Sequence, residues 1–154
     1  MSPASPRPTD SAIRKRLASA ATHCASRGAQ LTAQRAEVLE LLLRRGGQAK
    51  AYDLQEDMQA RHGRIAPTTV YRALDFLQEH HLVHKVDATN SFLVCNHTDH
   101  THPTLMLICT GCGRVQELHE HQALGELLAQ AQARGFAPQS VEVKSLCGSC
   151  QASV

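Results

Sequence analysis

Pro67-Thr-Thr-Val-Tyr-Arg-Ala-Leu-Asp-Phe-Leu-Gln-Glu-His80, followed by two short β-rich runs, Leu82 to Val86 and Phe92 to Val94, decides how the first part of this 154-residue chain folds. Pro67 sits where a first helical position takes a proline. Val70, Leu74 and Leu77, with Ala73 beside them, then recur at helical spacing through to about His80. The N-terminal half of this helix carries Thr68, Thr69, Tyr71 and Arg72. Hydroxyls, an aromatic ring and a guanidinium are the groups that meet phosphates, thymine methyls and guanine edges in a DNA major groove. An amphipathic helix with ordinary polar exposure is the alternative reading. The turn-rich linker Asp87-Ala-Thr-Asn-Ser91 joins the two β-rich runs as a hairpin and favours the first reading.

Upstream, Thr32 is placed to cap a helix over Ala33 to Arg45, whose Val38, Leu39, Leu41, Leu42 and Leu43 form a buried stripe ended by Gly46-Gly47. A further helix is expected from Tyr52 to His62, and an earlier one from Ser11 to Arg27, stopped by Gly28. Three helices and a hairpin make a winged helix-turn-helix. Residues 1 to 10, rich in Pro and Ser, are expected to be disordered. Arg14, Lys15 and Arg16 oppose the dipole in the first turns of their helix, so they serve either a phosphate backbone or a solvated basic patch. Cys24, on an apolar helix face, reads as a buried free thiol.

The last third carries two cysteine pairs, Cys109-Thr-Gly-Cys112 and Cys147-Gly-Ser-Cys150. Four thiolates close a tetrahedral zinc site, and two CxxC pairs together are a far stronger signal than one. Two disulfides or redox pairs are the rival reading. No apolar run has the length of a signal peptide or a membrane span, so a cytoplasmic protein with reduced cysteines is expected. Residues 1–87 hold 13 Lys and Arg against 9 Asp and Glu, a difference of +4, whereas the remainder holds 3 against 5, or −2. A basic first half meets a polyanion, and the cysteine-rich second half has another task.

Leu31-Thr-Ala-Gln-Arg35, Ala51-Tyr-Asp-Leu54, Thr69-Val-Tyr-Arg-Ala-Leu74, Val83-His-Lys85 and the paired CxxC units resemble the ferric uptake regulator family across residues 13 to 150. Ala73-Leu-Asp-Phe-Leu77, Thr89-Asn-Ser91 and Cys95 follow the pattern of its zinc uptake regulator branch. The resemblance implies an α+β protein: a winged helix domain over 11–87, a hinge and metal-binding loop over 88–103, and an α/β dimerisation domain with structural zinc over 104–154. It also implies a homodimeric, zinc-responsive repressor that binds palindromic operator DNA and controls zinc uptake genes.

Two zinc ions per subunit are expected. Cys109, Cys112, Cys147 and Cys150 hold the structural one. A sensing site must tie the wing to the hinge and dimerisation domain, and His84, Cys95, His102 and Glu117 match the family's regulatory ligands position by position. His100 is the alternative to His102. The thiolate of Cys95 favours zinc over iron or manganese, although affinity order alone also admits copper or nickel, and an iron- or peroxide-responsive regulator ranks second. His97, Asp99, His100, His119 and His121 could build a third site or stand solvated. Tyr52, Thr68, Thr69, Tyr71 and Arg72 are the expected DNA contacts, with Lys15, Arg35 and Lys50 as phosphate partners.

A zinc enzyme is disfavoured: there is no H-E-x-x-H, and Leu146 rather than proline precedes Cys147. Neither a membrane nor a small organic substrate is expected as a partner. The apolar run Thr104 to Ile108 is expected to be an exposed edge strand that pairs with its symmetry mate in the dimer.

Overall fold

Thr9 and Thr32 start the first two helices by the same device. The Thr9 hydroxyl accepts the Ala12 N–H at 3.2 Å, and the Thr32 hydroxyl accepts the Arg35 N–H at 3.4 Å, each satisfying a donor with no partner inside its helix. The structure, a computed structural model, describes residues 6–96, 103–118 and 121–153. Helix α1 runs Asp10–Ser26, and α2 runs Ala33–Arg44 as expected from Thr32. Strand β1 (Gln48–Ala49), α3 (Ala51–His62), α4 (Pro67–Glu79), β2 (Val83–Val86) and β3 (Ser91–Val94) follow. Of the ten residues expected to be disordered, the first five lie outside the described residues, and Asp10 opens α1.

The chain divides into two compact units, whose described parts end at Asn96 and begin at Pro103. In the first, β3 is the middle strand of an antiparallel sheet in the order β1-β3-β2, with Val83 opposite Val94 and His84 opposite Leu93. The segment 88–103, expected as a hinge, therefore contributes β3 to this sheet. Phe92 and Val94 are buried there, and an apolar strand with a partner on each side joins the core rather than a linker.

Ile13, Val38, Leu42, Leu54, Met58, Val70, Leu74, Leu77 and Val83 are all at most 2% exposed and form one core among α1 to α4 and the wing. The apolar stripe of α4 thus faces inward, and Thr68, Tyr71 and Arg72 on its other side are exposed. Cys24 is buried and free, and burial pushes its thiol up. Because Leu42 is fully enclosed, Leu42→Ala is expected to destabilise this unit by about 2–5 kcal/mol, read from a lowered urea midpoint with an unchanged slope.

In the second unit β4 (Thr104–Cys109), β5 (Val115–Leu118), α5 (His121–Ala133), β6 (Ser140–Ser145) and the one-turn helix α6 (Gly148–Gln151) follow in order. The strand order is β5-β4-β6, antiparallel between β4 and β5 and parallel between β4 and β6. The expectation that Thr104 to Ile108 is an edge strand is therefore wrong, since β4 lies in the middle. Its apolar sequence reflects enclosure: Thr104, Met106 and Ile108 are buried, and Leu105 and Leu107 are half-buried. The edge strands are β5 and β6, and β6 is mostly exposed.

Candidate metal centres and nucleic-acid interface

Parallel pairing of β4 with β6 brings the two CxxC units together. Cys109 is the last residue of β4 and pairs in register with Ser145, so Cys147 emerges beside it only two residues later. The Thr110 N–H donates to the Ser145 carbonyl at 2.9 Å, and the Gly113 N–H donates to the Cys109 carbonyl at 2.9 Å. The second bond closes the turn that carries Cys112. Cys147 stands at the N-terminus of α6, whose single turn presents Cys150 on the same side.

All four sulfurs lie within 4.8 Å of one another, and those of Cys112 and Cys147 are 3.8 Å apart. Sulfurs about 2.3 Å from a tetrahedral zinc stand roughly 3.8 Å from each other, whereas a disulfide needs about 2.05 Å. None of the four is part of a disulfide. The quartet therefore fits zinc and is not two disulfides.

Gly111 is needed for that convergence, because a Cβ there would stand 2.9 Å from the Cys150 sulfur and 3.1 Å from the Cys150 Cβ. The thiols show why a cation belongs at the centre. N–H groups of Cys147 and Cys112 directed at its sulfur pull the Cys109 thiol down to about 6, while Cys150, sharing its proton with the Cys109 and Cys147 sulfurs, is pushed up to about 12. Four adjacent sulfurs cannot all ionise unless positive charge is placed among them.

In the first unit, β2 and β3 bring His84 and Cys95 together: the imidazole and the thiol offer ligand atoms within 4.8 Å of each other. Cys95 follows the last residue of β3, and its N–H donates to the Leu82 carbonyl at 2.9 Å, which fixes it two residues from His84. It is 7% exposed, and His84 is half-buried. A nitrogen and a thiolate on a rigid hairpin are half of a zinc site. Glu117 lies on β5 opposite Met106. His97, Asp99, His100, His102, His119 and the side chain of His121 lie outside the described residues.

Of the residues expected to contact DNA, Tyr52 is 68% exposed at the start of α3 and Tyr71 is 52% exposed on α4. Lys15 and Lys50 are exposed, and Thr69 is half-buried. Arg35 differs from the other cations: its guanidinium lies 3.8 Å from the centroid of the Phe76 ring and donates to the Gln30 carbonyl at 2.8 Å. That stack links the start of α2 to α4, and the amino-acid pattern did not reveal it.

Residues 26–146 match the sequence profile of the ferric uptake regulator family. The zinc uptake regulation protein of Escherichia coli (strain K12) is 41% identical over 137 residues, which span 87% of this chain and 80% of that protein. A zinc uptake regulator complexed with zinc and DNA superposes with a TM-score of 0.82 at 38% identity, covering 95% of this chain and 98% of the other. The holo form of XcZur superposes at 0.77 with 39% identity, covering 90% and 98%.

Proposed function

The chain belongs to the ferric uptake regulator family, and on that footing we propose that it is a zinc-responsive transcriptional repressor. It binds palindromic operator DNA as a homodimer and controls zinc uptake genes. One observation carries the metal assignment: the Cys95 thiol lies beside the His84 imidazole at the base of the wing. A thiolate ligand selects against the iron and manganese that nitrogen and oxygen sites accept.

In this reading each subunit holds two zinc ions, one in the cysteine quartet and one bound by His84, Cys95, His102 and Glu117. The regulatory zinc supplies a four-coordinate charge that favours one arrangement of its ligands. His84 and Cys95 belong to the first unit and Glu117 to the second, so a shared metal restricts how the two are disposed. Moving the population from 1:99 to 99:1 in favour of the DNA-competent arrangement takes about 5.5 kcal/mol of differential affinity.

The dimer forms through the second unit. Leu118, Leu127, Phe136 and Val143 are 39%, 51%, 69% and 41% exposed there, and the outer edge of β6 is open among the described residues. Exposed apolar side chains on α5, the loop after it and the two edge strands, together with an open strand edge, support pairing with a second copy. Two recognition helices related by a two-fold axis read half-sites about one DNA turn apart. Tyr52, Tyr71 and Arg72 meet bases or their edges, and Lys15, Arg35 and Lys50 meet phosphates. The protein carries out no catalysis and works in the cytoplasm. No described helix is long and apolar enough to cross a membrane.

Zinc measured at equilibrium against a calibrated chelator tests this reading. Two tight zinc ions per chain are expected, of which only the weaker governs DNA binding. A DNA affinity that follows iron and ignores zinc would contradict it. Arg72→Ala is expected to lose about 1–3 kcal/mol of discrimination on the cognate operator, with little loss on random DNA, in fluorescence anisotropy titrations at one salt concentration. Equal losses on both would make Arg72 a phosphate contact.

A further inference from the structure

Arg16 is the third cation of the Arg14-Lys15-Arg16 run, but it does not share the environment of the other two. Arg14 and Lys15 are exposed, whereas Arg16 is half-buried at the border of the α1 stripe formed by Ile13, Ala20 and Cys24. From there its guanidinium reaches the base of the wing, where β3 ends. Nη2 donates to the Cys95 carbonyl at 3.1 Å, and Nη1 donates to Asn96 Oδ1 at 3.2 Å. Arg16 also closes one side of a cleft of about 220 Å³ that is otherwise walled mainly by Ala20, Leu39, Leu43, Leu82 and Val94.

Cys95 thus has both main-chain groups held. Its N–H is tied to Leu82, two residues before His84, and its carbonyl is tied to Arg16. The first bond sets the position of Cys95 against the strand that carries His84. The second sets the peptide plane after Cys95, and with it the direction in which the chain leaves the wing. A guanidinium suits this task because its donors form a fixed fork that can meet oxygens on successive residues, which a single ammonium cannot do.

We infer that Arg16 is a positioning residue for the regulatory metal: it holds the Cys95 main chain so that the Cys95 thiolate and the His84 imidazole converge before metal binds. It also fastens that pair to α1, the helix that carries Lys15. The inference rests on the sensing role proposed for Cys95. A ligand pair already ordered gives up less freedom on coordination, and removing such a supporting contact lowers metal affinity by about 10- to 100-fold.

The test uses the full-length protein with Arg16→Gln, Arg16→Lys, Asn96→Ala and, as reference, Cys95→Ser. Affinity for the weaker zinc is measured by chelator competition, and the thiolate-to-cobalt charge-transfer band is recorded with Co²⁺ in that site. Arg16→Gln is expected to bind the weaker zinc about 10- to 100-fold less tightly with a displaced cobalt band, while the structural zinc and the melting temperature stay unchanged. Arg16→Lys recovers part of the affinity through one remaining donor, and Asn96→Ala shows a smaller loss. Wild-type affinity and an unmoved cobalt band in Arg16→Gln would overturn the inference. Should that variant fail to fold, unchanged affinity in both Arg16→Lys and Asn96→Ala would overturn it instead. Wild-type affinity in Cys95→Ser itself would defeat the sensing-site reading, a failure distinguishable from that of Arg16 alone.

Discussion

Cys112→Ser is expected to release the zinc proposed for the cysteine quartet and to unfold the second unit. The cysteine quartet fastens the turn after β4 and α6 to the ends of β4 and β6, which are otherwise joined by their parallel ladder. Among the described residues of this unit only Thr104, Met106, Ile108, Cys109, Val115, Leu124 and Leu128 are buried. A core of that size cannot offset the chain entropy of some fifty residues without a staple. Zinc held by four thiolates supplies apparent binding energy of about 10–16 kcal/mol, which is folding energy for a site that the unfolded chain lacks. A serine hydroxyl in place of one thiolate removes a ligand and leaves three crowded sulfurs. Metal analysis is expected to show one zinc fewer per chain, circular dichroism a loss of strand signal, and gel filtration a loss of the dimer. The first unit, with its own core, keeps its melting transition. A Cys112→Ser protein that stays fully folded and dimeric would show that the quartet is not the staple.

His84→Ala has the opposite signature. His84 is half-buried on β2, between the buried Val83 and the exposed Lys85, and its strand pairing with Leu93 is made through main-chain groups that alanine retains. The fold, the structural zinc and the dimer are therefore expected to persist. The zinc dependence of DNA binding is expected to be lost, because the variant removes one ligand of the proposed regulatory site and its tie to the wing. In a zinc titration followed by anisotropy, the variant is expected to remain at the zinc-free affinity, forfeiting the coupling of about 5.5 kcal/mol that a 1:99 to 99:1 shift requires. A variant that still tightens on DNA as zinc rises would remove His84 from the sensor. An unfolded His84→Ala beside a folded Cys112→Ser would exchange the two sites' roles.

Local chemistry made much of this legible. Thr32 and Pro67 mark helix starts by capping and by a preset φ, and the stripe of Val70, Leu74 and Leu77 fixes which side of α4 faces inward. The CxxC pairs are equally local, since each brings two sulfurs together within one turn. Strand order was not legible. An apolar run such as Thr104–Cys109 reads alike whether it is an exposed edge or the middle strand between two partners, and its parallel partner β6 begins more than thirty residues later. Strand β1 has two residues, too few to carry any alternation. The sequence leaves Arg16 either as a phosphate ligand or as part of a solvated basic patch, because its main partner, Cys95, lies 79 residues further on. Gly111 was readable as a turn residue, but not as the position where a side chain would collide with the Cys150 sulfur.

The central claim is that zinc makes this protein competent for specific DNA. Its most direct test is to incubate purified protein with sheared genomic DNA from its source, in buffers that hold free zinc either very low or within the range of a tight site, and to sequence what is retained. Discrete palindromic sites enriched only in the zinc-containing buffer are the predicted result. Retention indifferent to zinc, or arising only with iron, would contradict it.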